Sequence, residues 1–122
     1  MTTTLLTSTD RERLLANGER HRRRQRADPD TSVDFTPVVK LFTPDAGCTW
    51  LLTELDPDEP DIAFGLCDLG LGCPELGYVS LSELAAVRGH LGLPVERDLY
   101  FVATKTLMAY ADEARANGRI VT

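Results

Sequence analysis

The sequence predicts one α+β domain. It consists of an antiparallel meander of about four to five strands, with an N-terminal and a C-terminal helix that form one helix layer on one face of the sheet. Three observations support this prediction. Helix start or stop signals occur near both ends of the chain, short β-branched and aromatic runs separated by Pro and Gly fill its middle, and 122 residues suffice for one apolar core.

The first helix is predicted from Thr9 and Glu12, whose spacing is that of a capping box. In this motif the hydroxyl and the carboxylate each accept a hydrogen bond from a backbone N–H at the helix start. We expect the helix to begin at about Asp10 and to continue into a run of arginines. Its apolar residues end at Ala16, and residues 18–26 carry no apolar side chain. The second half of this helix is therefore expected to be solvated, frayed or ordered by a partner.

Charge divides the chain into two unequal parts. Residues 1–27 hold seven arginines against three carboxylates, a net charge of +4, whereas the rest holds six Lys or Arg against sixteen Asp or Glu, a net charge of −10. Pro29 and the short polar residues around it are typical of a linker. The predicted organisation is a basic N-terminal helix or arm at 1–27, a linker at 28–36 and an acidic α+β domain at 37–122.

Four strands are predicted in the first part of the acidic domain. Residues 38–43 and 49–55 are expected to form a hairpin, because the Pro and Gly of residues 44–47 suit a turn. A third strand is expected at 61–67 and a fourth at about 76–79.

A short helix, a fifth strand and a last helix complete the domain. Ser80 and Glu83 form a second capping-box pattern, and Gly89 is expected to end the helix that they start. The fifth strand is predicted at residues 97–103. The last helix is predicted to end at Gly118. Its apolar side chains recur at i, i+3, i+4 and i+7, at Leu107, Tyr110, Ala111 and Ala114.

The strand region resembles a known family. In chain order it contains the blocks VVKLFTP, TWLLTE, FGLCD, ELGYVSLSEL and GLPVERDLYF between residues 37 and 101. This pattern resembles an uncharacterised bacterial family known only as a domain of unknown function, and it covers more than half of the chain. The resemblance implies a small protein carried on plasmids, conjugative elements or phages, and it supplies no catalytic residues.

No pattern for a metal or a cofactor is present in the sequence. Cys48, Cys67 and Cys73 are not arranged as Cys-x-x-Cys pairs, so we expect free thiols rather than a zinc site. The loop at Gly70 and Gly72 lacks the third glycine of a dinucleotide-binding turn and leads into a strand. We therefore expect no cofactor, while a chemical role for Cys67 or Cys73 is left open.

The sequence gives a general expectation for the cellular location of the protein and none for its oligomeric state. No apolar run approaches the roughly 20 residues that span a bilayer, and residues 1–9 do not form a secretory signal. We expect a cytoplasmic protein that does not enter membranes. Its oligomeric state is left open, because an exposed edge strand could pair with a second copy.

The acidic domain favours a non-enzymatic protein that acts by binding another protein. The expected partner is a host or defence-system protein with a basic surface. In the mobile-element context that the resemblance implies, such a protein would be an anti-restriction or anti-CRISPR-like inhibitor. An enzyme is disfavoured but left open, since active sites can be assembled from distant residues. The candidate protein-binding residues are Asp56, Asp58, Glu59, Asp61, Asp68 and Glu75.

The alternative function is nucleic-acid binding through the N-terminal arm, whose arginines could contact phosphates. The candidate residues are Arg20, Arg22, Arg23, Arg24 and Arg26. Four aromatic residues in predicted strands could also stack on bases, but no Lys or Arg is interleaved with them, and their surroundings are acidic. We therefore assign these aromatic residues to core and sheet packing. They are Trp50, Tyr78, Tyr100 and Phe101.

Overall fold

The computed structural model describes residues 5–122, and the first four residues of the predicted arm lie outside the described residues. Helices and strands follow one another in an order close to the predicted one. The helices are α1 (Ser8–Ala27), α2 (Leu81–Ala86) and α3 (Leu107–Asn117), and the strands are β1 (Val39–Phe42), β2 (Thr49–Leu55), β3 (Ile62–Asp68), β4 (Glu75–Ser80) and β5 (Glu96–Arg97).

The strands form one open antiparallel sheet in the order β4-β3-β2-β1-β5. Strands β1 to β4 are a meander, and β5 pairs with the outer edge of β1 through Leu41 opposite Arg97. The α+β class, the antiparallel sheet and the two terminal helices are thus confirmed. β4 and β5 are the outer strands of this sheet.

The helices lie on both faces of the sheet, whereas the sequence predicted one layer on one face. Trp50 and Leu52 of β2 belong to an apolar cluster with Leu14 of α1, while Leu51 belongs to a second cluster with Tyr110 of α3. Because successive side chains of a strand point to opposite faces, the apolar run of β2 needs a cover on each side. Such an uninterrupted run is typical of a strand buried on both faces.

The start of α1 differs from the predicted one. The capping box uses Thr7 and Asp10 instead of Thr9 and Glu12: the Asp10 N–H donates to Thr7 Oγ1 at 3.0 Å, and the Thr7 N–H donates to the Asp10 carboxylate at 3.2 Å. The buried Asp10 carboxylate also forms an ion pair with Arg97 of β5 at 2.6 Å. This distant pair favours the earlier start, and local spacing alone could not reveal it.

The fifth strand is much shorter than the predicted 97–103. Asp98 turns the chain away from the sheet, because its carboxylate accepts a hydrogen bond from the Tyr100 N–H at 2.9 Å. α2 likewise ends before the predicted Gly89, at the C-cap Val87. Gly118 ends α3 as predicted, in the left-handed conformation with φ 71°.

Candidate nucleic-acid interface

α1 lies against the backbone of β2 beyond the point where β1 stops pairing with it. The ladder between β1 and β2 ends at Leu52. Farther along, the Asn17 side-chain amide donates to the Thr53 carbonyl at 2.9 Å. Gly18 is buried so close to Leu55 that a Cβ would overlap the carbonyl oxygen of that residue. The expectation that the second half of α1 has nothing to bury is therefore wrong, because an amide and a glycine make contacts that need no apolar side chain.

Two further side chains of α1 hold its second half to the sheet. His21 Nδ1 lies 3.0 Å from the mostly buried carboxylate of Glu54. The next residue, Arg22, contacts the turn after β2, with its guanidinium 2.6 Å from Asp58 and 3.2 Å from Asp56. The hydrogen bond to Asp58 and the charges of both carboxylates raise the pKa of Arg22 above its usual value. The arm is thus docked on its own acidic domain through its polar residues.

The solvent-exposed surface of α1 carries further arginines, which we call the arginine face. Its members are Arg13, Arg20, Arg23, Arg24 and Arg26. None of the five has a carboxylate within 4.0 Å among residues 5–122. Arg13, Arg20 and Arg24 are spaced by seven and four residues and so follow one stripe of the helix. With the exposed Glu12 and Glu19 of the same helix, these side chains carry a net formal charge of +3, and the exposed Asp34 of the linker beside them lowers it to +2.

The linker contributes to this surface beside the middle of α1. The Arg20 guanidinium lies 5.8 Å from the ring centroid of Phe35, a cation–π contact. Arg13 and Arg20 border a groove of about 480 Å³ together with Asp34, Phe35 and Thr36. The linker therefore packs beside the arginine stripe.

Most of the arginines that the sequence singled out lie on this face. Arg20, Arg23, Arg24 and Arg26 are exposed there, whereas Arg22 turns towards the sheet and its two carboxylates. Arg13 was missed, although its position seven residues before Arg20 is the spacing of two helical turns. The helical period would have found Arg13, but the orientation of Arg22 depends on contacts with a distant turn.

The structure does not bring the six candidate carboxylates into one surface. Asp56 and Asp58 are paired with Arg22. Asp61 accepts hydrogen bonds from the hydroxyls of Ser80 and Ser82 at 2.7 and 2.8 Å, and these bonds lower its pKa below the usual range. These three carboxylates are therefore engaged by groups of the same chain.

The other three carboxylates lie at both ends of β3. Asp68 is buried and accepts hydrogen bonds from the N–H groups of Gly70 and Ile120, each at 2.9 Å. Glu59 and Glu75 are exposed, but Glu59 precedes β3 and Glu75 lies opposite its C-terminal end. Seven residues of strand separate these ends by about 23 Å.

A small cleft opens between the second half of α1 and β4, and we call it the Tyr78 cleft. Its volume is about 90 Å³, and His21, Gln25, Phe64 and Tyr78 are among its lining residues. The ring of Tyr78 is 71% exposed and lies 5.1 Å from the Phe64 ring, tilted by 59°. The assignment of Tyr78 to packing is therefore wrong for most of its surface. Across the cleft the ring faces residues of α1 and not another strand.

The other three aromatic residues differ in burial. Trp50 is buried as expected, and Phe101 is half-buried with its ring 6.3 Å from that of Tyr110. Tyr100 is 93% exposed, so its assignment to packing is also wrong. It belongs to the segment that Asp98 turns away from the sheet.

The three cysteines differ in their exposure to solvent. The three thiols are free; Cys48 and Cys67 are half-buried, and Cys73 is exposed. Burial, together with the charge of Glu75, raises the pKa of Cys67 to about 11, which disfavours the thiolate needed for nucleophilic attack. Gly70 and Gly72 have positive φ angles of 78° and 83° in the loop after β3, the conformation that glycine adopts most easily.

The described part of the chain contains neither a group of metal ligands nor a membrane-spanning helix. Among residues 5–122, no three His, Cys, Asp or Glu side chains lie close enough together to hold a metal ion. Within the same range, none of the helices has the length and apolar character needed to cross a membrane.

Comparison with known proteins identifies a family. The family model described as a protein of unknown function (DUF2958) matches residues 5–121, almost the whole chain. No curated protein and no solved structure matches the sequence. The family match includes α1 as well as the sheet and α3, so the arm that carries the arginine face lies within the region that the family model describes. The chain therefore belongs to the DUF2958 family.

Proposed function

We propose that this protein binds nucleic acid through the arginine face of α1. The observation that carries the proposal is the pairing pattern on this helix: Arg22 is neutralised against the sheet, whereas five other arginines are exposed without a carboxylate partner among the described residues. Phosphate oxygens are the ligands that such guanidinium groups bind best. The contacts of His21 with β2 and of Arg22 with the turn after β2 hold the helix in place, so the backbone positions of its arginines are fixed.

The net charge of −6 does not forbid this function. At physiological ionic strength, charges more than about 8 Å apart are largely screened from one another. A backbone on the outer side of α1 would therefore experience mainly the local positive charge. We expect weak binding without sequence preference, with Kd of roughly 10⁻⁴ to 10⁻⁶ M.

The test is a titration of the full chain with a short labelled duplex, followed by fluorescence anisotropy at about 50 and 200 mM salt. If all five arginines contact phosphates, the logarithm of the binding constant should fall with the logarithm of salt concentration with a slope of about −4.5. The double variant Arg23→Gln/Arg24→Gln should weaken binding and make this slope shallower by about 1.8. Gln retains good helix propensity, so α1 should persist.

The matched control is Arg115→Gln/Arg119→Gln, which removes one exposed arginine from the last turn of α3 and one just after the helix and changes the net charge equally. It should leave both the affinity and the salt slope nearly unchanged. Equal losses in the two double variants would show that overall charge matters and the arginine face does not. No salt-sensitive binding by the unmodified chain would refute the proposal.

Protein binding is a second candidate, favoured by a group of exposed leucines at one end of the sheet. Asp45, in the turn between β1 and β2, accepts hydrogen bonds from the N–H groups of Leu91 and Leu93, and Gly47 of the same turn closely approaches Gly70. Two loops with large exposed apolar side chains therefore flank one turn, and exposed apolar patches often mark binding sites. The exposed leucines of these loops are Leu69, Leu71, Leu91 and Leu93, with exposed fractions of 56, 79, 80 and 43%.

Under this second candidate function, the protein is a cytoplasmic accessory protein of a mobile element. Its partner is a host or defence-system protein with a basic surface, which the exposed Glu75 could meet beside the leucines. An anti-restriction or anti-CRISPR-like activity belongs to this reading. The titration described above separates the two candidates, because only the first requires the full chain to bind nucleic acid with a salt slope set by the arginine face.

A further inference from the structure

We propose that the nucleic acid is single-stranded and that one of its bases stacks on Tyr78. This inference rests on the proposed function, because the arginine face would hold the backbone of the same strand. It goes beyond that function by naming the form of nucleic acid and the group that recognises its bases.

Tyr78 has the placement of a stacking platform. It lies on β4, an outer strand of the sheet, and 71% of its surface is exposed. Phe64 on the neighbouring β3 is its cross-strand partner, with ring centroids 5.1 Å apart. This contact supports the tyrosine ring from one side and leaves most of it open to solvent. Stacking of a base on such a ring tolerates any base, because every base has a π-face.

The wall of the Tyr78 cleft that faces β4 comes from α1. Gln25 borders the cleft, and its side-chain amide has both a donor and an acceptor for the edge of a base. Glu54 and Asp56 also line this cleft, and Asp58 borders the groove beside it; Glu54 contacts His21, whereas Asp56 and Asp58 share the single positive charge of Arg22, so the cleft would repel a phosphate. The base, which is uncharged, is the part of a nucleotide that this environment accepts.

The phosphates would pass outside the cleft. Arg22, Arg23 and Arg26 border a neighbouring groove of about 340 Å³ together with Glu19, Pro57 and Asp58, and Asp58 is the carboxylate that Arg22 already pairs with. Arg22 lines both this groove and the Tyr78 cleft, so the two are adjacent. A strand whose backbone follows Arg23 and Arg26 would therefore bring a base to the ring of Tyr78.

A duplex does not offer the same contact. Its bases are stacked on one another, and their faces become available only when the strands separate. Duplex DNA would therefore contact the arginine face but not the ring of Tyr78.

The test compares a labelled thymine oligonucleotide with a duplex of the same length, using the full chain at low salt. The unmodified protein should bind the single strand more tightly than the duplex. Tyr78→Ala should weaken single-strand binding by about 10-fold or more and leave duplex binding within about twofold. Tyr78→Phe, which keeps the ring, should retain the single-strand affinity.

Tyr100→Ala is the matched control, because Tyr100 is even more exposed and lies in the segment after β5. It should not change either affinity. Thermal unfolding of each variant, followed by circular dichroism, shows whether the fold is retained. Equal binding of the two forms by the unmodified protein, or equal effects of Tyr78→Ala on both, would overturn this inference while leaving the proposed function in place. Failure of the unmodified protein to bind either form would overturn both.

Discussion

Single carboxylates fix several bends and helix starts of this chain. The Asp10 carboxylate accepts from the Thr7 N–H at the start of α1, Asp61 binds the serines at the start of α2, Asp68 holds the loop after β3, and Asp98 turns the chain after β5. An ionised carboxylate satisfies backbone N–H groups that would otherwise lack a partner. The acidic composition therefore serves local structure as well as surface charge, and the number of Asp and Glu residues overstates the acidic surface available to a partner.

The reactivity of the thiols is a prediction at this scale. The pKa of Cys67 is raised to about 11, whereas Cys73 is exposed, so at about pH 8 an alkylating reagent should modify Cys73 first and Cys67 much more slowly. Mass spectrometry after timed alkylation measures the order. In denaturant the two should react at similar rates, which is the control. Faster modification of Cys67 in the folded protein would contradict its burial.

The raised pKa of Cys67 also predicts that the folded protein loses stability at alkaline pH. Between the unfolded pKa of about 9 and the folded value of about 11, the folded state retains a proton that the unfolded state has lost, so the free energy of unfolding falls as pH rises. Cys67→Ala should make stability less sensitive to pH in this window. Urea unfolding at several pH values measures the difference.

Local sequence signals predicted the helices and strands whose boundaries depend on near neighbours. The hairpin of β1 and β2 and the Gly118 end of α3 follow from turn and capping residues. Other features depend on contacts between distant residues: the Asp10 start of α1 needs Arg97, and the docking of its second half needs Leu55. The arginine face was largely predictable from composition. The Tyr78 cleft was not, because no local pattern links β4 to a helix that ends 48 residues earlier.

Gly18 gives a prediction at the scale of the element. In an exposed helix Gly→Ala stabilises by about 1 kcal/mol, because alanine is the better helix former. Here a Cβ would overlap the Leu55 carbonyl, so Gly18→Ala should instead lower the free energy of unfolding by about 1–3 kcal/mol. Urea denaturation measures the change.

The control for this prediction is Ala16→Gly, two residues earlier on the exposed side of α1. It should cost about 1 kcal/mol through propensity alone. A gain in stability for Gly18→Ala would mean that α1 does not lie against β2 as the structure describes.

At the scale of the whole molecule, α1 shares its apolar contacts with the sheet. Leu14 is fully buried in the same cluster as Trp50 and Val95. Asp10 links the helix to β5 at one outer strand, and His21 links it to β2 in the middle of the sheet. The arginine face is therefore carried by an element that also covers part of the core, and removing this element would change more than charge.

This arrangement predicts that α1 and the sheet unfold together. α1 supplies 20 helical residues against 6 in α2 and 11 in α3, so far-UV circular dichroism reports mainly on α1. Trp50 is the one tryptophan and is buried, so its fluorescence reports on the core. In urea the two signals should change at the same midpoint, as expected for a two-state domain.

A chain that begins at Asp28 loses Leu14 and the cover of β2, and it should show no cooperative transition. If instead circular dichroism declines at lower urea than fluorescence, and the shortened chain still folds, the division into 1–27, 28–36 and 37–122 describes independent units. If the two urea midpoints coincide and the shortened chain does not fold, every test of the arginine face has to use point variants of the full chain.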